Sequence, residues 1–336
     1  MEKVVVGGQA VIEGVMMRSP HCLAVVVRAA DGSLVVRQRR WISLWEKWKW
    51  LRRPFLRGVV VLAESLHNGV STLNFSATVQ ETKGAEAKET PVSLWVTMGV
   101  AVVLALGLFA ALPHFLTWGL GRVTGNDSLS SGTSLLFQVV DGVVKLWIFV
   151  AYLAAISLMK DVRLVFAYHG AEHKSIFAYE AGRPLTVAET AAFPTFHPRC
   201  GTSFLLVVLL IAILVFSVVF PFVPPASDVA ALNQLFFVLV KLLLLFPIAG
   251  VSYEVIKLAS RFPRSRLLRV LVWPGMAMQR ITTRPPDEGQ LEVALASIGC
   301  VLAEEERFRL HPERPVPERT ERYASFAAFL KGNEGG

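Results

Sequence analysis

"SFLLVVLLIAILVFSVVFPFV", residues 203–223, carries no charged side chain. A helix crossing a bilayer needs about 20 predominantly apolar residues, and this run supplies them. A core helix of a soluble bundle would not account for the complete lack of charge. Three further runs have the required length and apolarity, at 92–118, 135–159 and 232–253. Composition agrees: 53% of the chain is hydrophobic and only 18% is charged, against about 25% charged in soluble domains. The sequence therefore predicts a mainly α-helical membrane protein with four transmembrane helices.

The net charge of +8 is distributed unevenly. Thirteen Lys and Arg precede the first run, five lie in 160–202, and thirteen follow residue 256. Segment 119–134 has only Arg122, and 224–231 has none. By the positive-inside rule, both termini and the 160–202 loop are expected on the cytoplasmic side of a bacterial inner membrane. The opening "MEKVVVGGQAVIEG" lacks the apolar core of a cleaved signal peptide, so the N-terminus is expected to remain. The basic flanks point to the lipid bilayer and its anionic headgroups as partners, and exclude nucleic acid. Other membrane proteins stay open as partners, as does the oligomeric state. Cys22, Cys200 and Cys300 are dispersed and form no CxxC pair, which excludes a disulfide framework or a cysteine-rich zinc site.

Residues 1–40 read as a β-rich cytosolic cap, with a hairpin turning at Asp31-Gly32. Residues 41–90 read as interfacial or bundle-packed helices with a linker at 80–90, opened by a Ser43/Glu46 capping box. Within them, 54–79 is expected to pack against the bundle or dip into the interface. Residues 91–256 form the four-helix bundle with its 160–202 loop. Residues 257–336 are expected to give a basic amphipathic helix broken at Pro274-Gly275, a soluble helix over 285–306, and a loose tail.

"YHGAEHKS", residues 168–175, carries the chemistry. In a helix, His169 and His173 share one face and can offer two imidazoles to one ion. Glu172 can reach a water on that ion, and the H-x-x-E-H order matches the inverted zincin motif. A catalytic zinc needs a third protein ligand and an open position. Topology brings three residues to the same membrane face: Glu254 is the first choice, His197 the second and Cys200 the third. A polar helix end with no metal is the alternative. Arg199 with the Gly201-Thr202-Ser203 turn can bind an anion or simply cap a helix, and Cys200 with His197 can be a nucleophile pair. Glu13 stands alone in apolar surroundings. Glu64 and His67 give half of a di-iron pattern, and can border the same cavity. Asp141, Lys145 and Lys241 lie inside the apolar runs, where ionised groups pair or line an ion path.

The blocks "GGQAVIEGVMMR", "YHGAEHKSIFAYE", "FPTFHPRCGTSF" and "SYEVIKLASR" resemble, in that order, the YqhQ-like bacterial membrane proteins, a domain-of-unknown-function family. The resemblance covers about residues 3–300. It implies a multi-span bacterial membrane protein and a metal-dependent enzyme, with no substrate or reaction to carry over. Three functions remain open: a hydrolase using zinc or another divalent metal on a membrane protein, peptide or lipid; a membrane-biogenesis or regulatory scaffold; and a small-molecule or ion transporter.

Overall fold

A computed structural model describes residues 3–81, 91–262, 265–311 and 318–334. Four strands come first: β1 (Gly7–Val11), β2 (Gly14–Arg18), β3 (Cys22–Arg28) and β4 (Leu34–Arg40). A short α1 (Leu44–Lys47) leads to α2 (Leu56–Glu81). Next come α3 (Pro91–Leu106), one π-helical turn (Gly107–Ala111), α4 (Leu112–Thr124), α5 (Asp127–Ser130) and α6 (Leu135–Ile156). Then follow α7 (Lys160–Ala181), α8 (Val187–Ala191), α9 (Gly201–Val219) and α10 (Ala230–Arg261). The chain closes with α11 (Arg266–Thr282), α12 (Glu288–Leu310), β5 (Arg319–Tyr323) and α13 (Phe326–Glu334). Of the expected linker, Gln80 and Glu81 complete α2, and 82–90 lie outside the described residues.

The strands form one antiparallel sheet in the order β1-β2-β3-β4-β5. Gly32, at φ +83°, turns the β3–β4 hairpin as Asp31-Gly32 predicts. Successive strand residues point to opposite faces, and here both faces are covered. Cys22, Ala24 and Val26 pack with Tyr168, Ala171 and Ile176 of α7 and Leu291, Ala294 and Ile298 of α12. Leu23, Val25 and Val27 pack on the other face against Phe75 and Val79 of α2. That double burial explains why "CLAVVV" is apolar at every position rather than at alternate ones.

Several expectations need correction. Ser43 makes no capping box, because its hydroxyl and the Leu44 N–H both donate to the buried Glu64 carboxylate of α2, at 2.8 and 2.6 Å. A buried carboxylate needs those donors more than an exposed helix end does. Helix α11 runs unbroken through Pro274, and Gly275 lets it cross the start of α9 closely, since a Cβ there would lie 2.7 Å from Ser203 Cα. The tail is not loose: Arg319–Tyr323 pairs with β4, Tyr323 opposite Leu34, and Phe329 is buried in the sheet's core. The sheet is therefore assembled from both ends of the chain.

Among the described residues, four helices are long and apolar enough to cross a membrane: 99–124, 135–156, 201–222 and 230–259. Large apolar side chains such as Val103, Leu214, Val218, Leu243 and Phe246 stand exposed on them, as a hydrocarbon solvent would allow. Inside, Asp141 accepts from Lys241 at 2.5 Å and lies 3.4 Å from Lys145, so both expected pairs form. Lys241 also donates to His114 Nδ1 at 3.1 Å, and His114 Nε2 donates to Gln234 at 2.9 Å. Phe137, Phe216 and Phe220 place their rings 5.2–5.5 Å from the Lys241 ammonium. These contacts tie α4, α6 and α10 together in a setting where an unpaired charge is costly.

Phe329→Ala is expected to destabilise the sheet by about 3–5 kcal/mol, the usual cost of emptying a buried phenyl site. A thermal midpoint of the detergent-solubilised full chain that matches wild type would show the tail to be dispensable.

Candidate metal centre

Helix α7 supplies two of the three converging ligand groups. Around a helix each residue advances about 100°, so Tyr168 and Ala171 can face the sheet core while His169 and His173 turn to one flank. Gly170 permits a close crossing on the same helix: a Cβ there would lie 2.1 Å from Arg284 O. The crossing strand is held by the Arg284 N–H, which donates to Phe166 O at 2.9 Å. It presents the carbonyl of Thr282, the last residue of α11, to His169 Nδ1 at 2.8 Å. A carbonyl at a helix end has no partner within the helix, so this one is free to accept.

His173 makes the equivalent bond, its Nδ1 donating to Thr195 O at 2.5 Å. A carbonyl can only accept, so both imidazoles carry their proton on Nδ1 and keep a lone pair on Nε2. His173 Nε2 is buried with no hydrogen-bond partner. His169 Nε2 lies 3.2 Å from Cys200 Sγ. One ligand atom from each of His169, His173 and Cys200 lies within 4.8 Å of the others, a spacing one ion can bridge after small side-chain adjustments. Cys200 is the N-cap of α9, where the helix dipole favours an anionic ligand, and Thr202 Oγ1 lies 3.0 Å from its sulfur.

The donor set suits zinc, which takes nitrogen and sulfur ligands and leaves one position open at catalytic centres. Hydrogen bonds from the second imidazole nitrogen to a carbonyl are the usual way ligating histidines are oriented. Burial holds the His173 imidazole below its ordinary pKa, partly offset by the nearby Cys200 sulfur. The neutral form that results is the one that binds metal.

The remaining sequence-derived residues fall elsewhere. Glu254, the first-ranked third ligand, is paired with Arg57, whose Nε donates at 2.6 Å, and it joins α10 to α2. His197 stands beside the cluster, its ring 5.6 Å from that of His173. Its Nδ1 accepts from the Arg199 N–H at 3.3 Å, so the proton sits on Nε2, facing Glu180 at 3.5 Å. That separation is too long for a sound hydrogen bond, in keeping with the absence of a partner for His197 Nε2. Cys200, ranked third, is the residue that joins the histidines. Arg199 pairs with Glu180. Glu13, at φ +51°, accepts from Tyr168 Oη at 3.0 Å, and His67 is exposed. Along α10 the sequence between Lys241 and Glu254 offers only Ser252 and Tyr253 as polar side chains, and the Ser252 hydroxyl is bonded back to Ile248 O.

Glu172 is buried against β1, where a Cβ on Gly8 would lie 2.7–2.8 Å from its side chain. Among the described residues no donor bonds its carboxylate. Burial pushes its pKa up, and His169 and His197 pull it part of the way back. A raised carboxyl beside two imidazoles suits proton transfer.

Sequence reading missed the residues that hold this frame. Gln279 of α11 grips the His197 backbone at both ends, accepting from its N–H at 2.7 Å and donating to its carbonyl at 2.8 Å. Lys174 donates to Ala191 O and Phe193 O at 2.6 and 2.5 Å, fixing the same loop. Main-chain acceptors such as Thr195 O leave no mark on a sequence. Gly170 did leave one, as a lone glycine within a helical pattern.

A family described as "Protein of unknown function (DUF1385)" matches residues 53–304 of the chain. "Uncharacterized protein YqhQ" of Bacillus subtilis (strain 168) is 30% identical over 313 residues, covering 88% of this chain and 92% of that one. No solved structure matches. The family match includes His169, Glu172, His173, Cys200 and Thr282 but starts beyond β4.

Burial lowers the pKa of His173 and His197 and raises that of Glu172. The unfolded chain takes up more protons at the histidines as pH falls through about 6.5, so their contribution makes the fold less stable on the acid side. Glu172 acts in the opposite sense: above about 4.5 the folded chain keeps a proton the unfolded chain has lost, so its contribution weakens the fold as pH rises. Glu172→Gln is therefore expected to make the thermal midpoint rise more steeply between pH 5 and 7 (about the span of these groups) than in wild type. Parallel profiles would contradict the burial of Glu172.

Proposed function

The chain belongs to the DUF1385 family of proteins of unknown function, and we propose from its site that it is a metal-dependent hydrolase embedded in the bacterial inner membrane. The observation that carries this reading is the convergence of His169 Nε2, His173 Nε2 and Cys200 Sγ, with both imidazoles oriented by carbonyls. A zinc ion held there supplies Lewis acidity and lowers the pKa of water. His169, His173 and Cys200 would hold the ion. Glu172 would take a proton from water there and return it to the leaving group, a role its raised pKa supports. His197, with its proton on Nε2, can donate a hydrogen bond to charge developing on the substrate.

The centre lies at the first turn of α9, one of the four membrane-length helices. The distribution of Lys and Arg supports a cytoplasmic position for that end. The scaffold and transport readings have no comparable observation in their favour; the Asp141–Lys241–His114 network serves equally as a lock between helices.

Metal analysis of the purified full chain tests the proposal. Wild type is expected to hold about one zinc per chain at a His/Cys site, and Cys200→Ser and His173→Ala to lose most of it. His197→Ala and Glu254→Gln are expected to retain it. With cobalt(II), wild type is expected to show a thiolate-to-metal absorption band that Cys200→Ser lacks. Wild type without a bound transition metal, or a cobalt spectrum unchanged in Cys200→Ser, would overturn the assignment.

A further inference from the structure

Among the described residues, strand β1 ends the sheet and pairs only with β2. Among the described residues no other backbone hydrogen bond reaches residues 7–11. An edge strand presents unpaired N–H and C=O groups, and natural edges are commonly blunted by a charge, a proline or a bulge. "GGQAV" has neither charge nor proline, and its pairing with β2 is in continuous register. Gly7 and Gly8 are exposed, and a Cβ on Gly7 would meet nothing.

This edge runs beside the metal centre. Helix α7 lies along β1: Lys3 reaches the carbonyls of Tyr179 and Glu180, and Gly8 lies under Glu172. At about 100° per residue, Ala171, Tyr168, Glu172, His169 and His173 follow one another round α7. The first two enter the core shared with α12, and Glu172 sits on β1. His169 and His173 come next, on the side away from that core. A further strand beside β1, at the usual spacing of about 4.8 Å, would therefore lie on the flank of α7 that carries His169 and His173.

We infer that an extended polypeptide pairs with β1 as a sixth strand and carries one of its peptide groups to the centre. Backbone pairing gives affinity with little dependence on side chains, and the open space at Gly7 keeps the approach clear there. The substrate class is then a polypeptide in extended form rather than a lipid. Its hydrolysis rests on the reading above; the pairing itself does not.

The test uses the full chain in detergent, zinc-loaded and zinc-free, titrated with a fluorescent valine/threonine octapeptide. A series of the same peptide carries one N-methyl group at each successive amide. Saturable binding is expected, with methylation of every second amide weakening Kd about tenfold and methylation of the others having little effect. A photoreactive group at the peptide's centre is expected to label Gly7–Val11. No saturable binding, sensitivity without a period of two, or labelling of β5 at the opposite edge would overturn the inference. A chain that binds no zinc yet keeps the alternating pattern would sink the hydrolase reading and leave the pairing standing.

Discussion

Two carbonyl groups, Thr195 O and Thr282 O, orient the paired histidines of α7. Each accepts the Nδ1 proton of one imidazole, and so each leaves an Nε2 lone pair facing Cys200 or the buried space beside it. Neither histidine could present a defined lone pair without that bond, because a free imidazole exchanges tautomers. The two carbonyls come from segments remote in sequence, the loop before α9 and the end of α11. Everything that positions those segments therefore bears on the site.

Those positioning contacts form a connected set. Gly170 lets residues 282–284 cross α7 at main-chain distance. Gln279 clamps the His197 backbone and touches Ser203, linking α11 to the start of α9. Lys174 holds Ala191 and Phe193 from the other side. The sheet beneath carries α7 and α12 on one face and α2 on the other, which gives α7 a rigid seat. Glu254, with Arg57, fastens α2 to α10 and so joins the sheet's outer layer to the apolar bundle. Rigid support of this kind is what keeps ligand groups within reach of one another.

The bundle and the sheet solve different burial problems. Helices α6, α9 and α10 expose large apolar side chains outward and bring their polar groups inward as Asp141, Lys145 and Lys241, joined by His114 of α4. The sheet does the reverse, hiding both apolar faces under helices. The His169/His173/Cys200 cluster stands at the join, with Cys200 the N-cap of α9 and the histidines on a helix of the sheet layer.

The four apolar helices, the Asp31-Gly32 hairpin, the Asp141 pairs and the two histidines on one helical face were all legible in the sequence. Each depends on local periodicity, turn chemistry or the cost of an isolated charge, and those act within a few residues or impose a pairing. The strand at Arg319–Tyr323 was hidden because its five residues gain their place only by adding to β4. Ser43 looked like a helix cap until Glu64, from a helix further on, supplied a stronger acceptor for its hydroxyl. Which of three candidate residues lies beside the two histidines was hidden for the same reason. Glu254, His197 and Cys200 all reach one end of the bundle, and composition cannot say that Arg57 binds the first or that a main-chain N–H takes the Nδ1 of the second. Residue order alone shows which side chains are available and roughly at which end of the bundle. Which of them meet depends on folding, because that choice rests on long-range hydrogen bonds to backbone groups every residue carries alike.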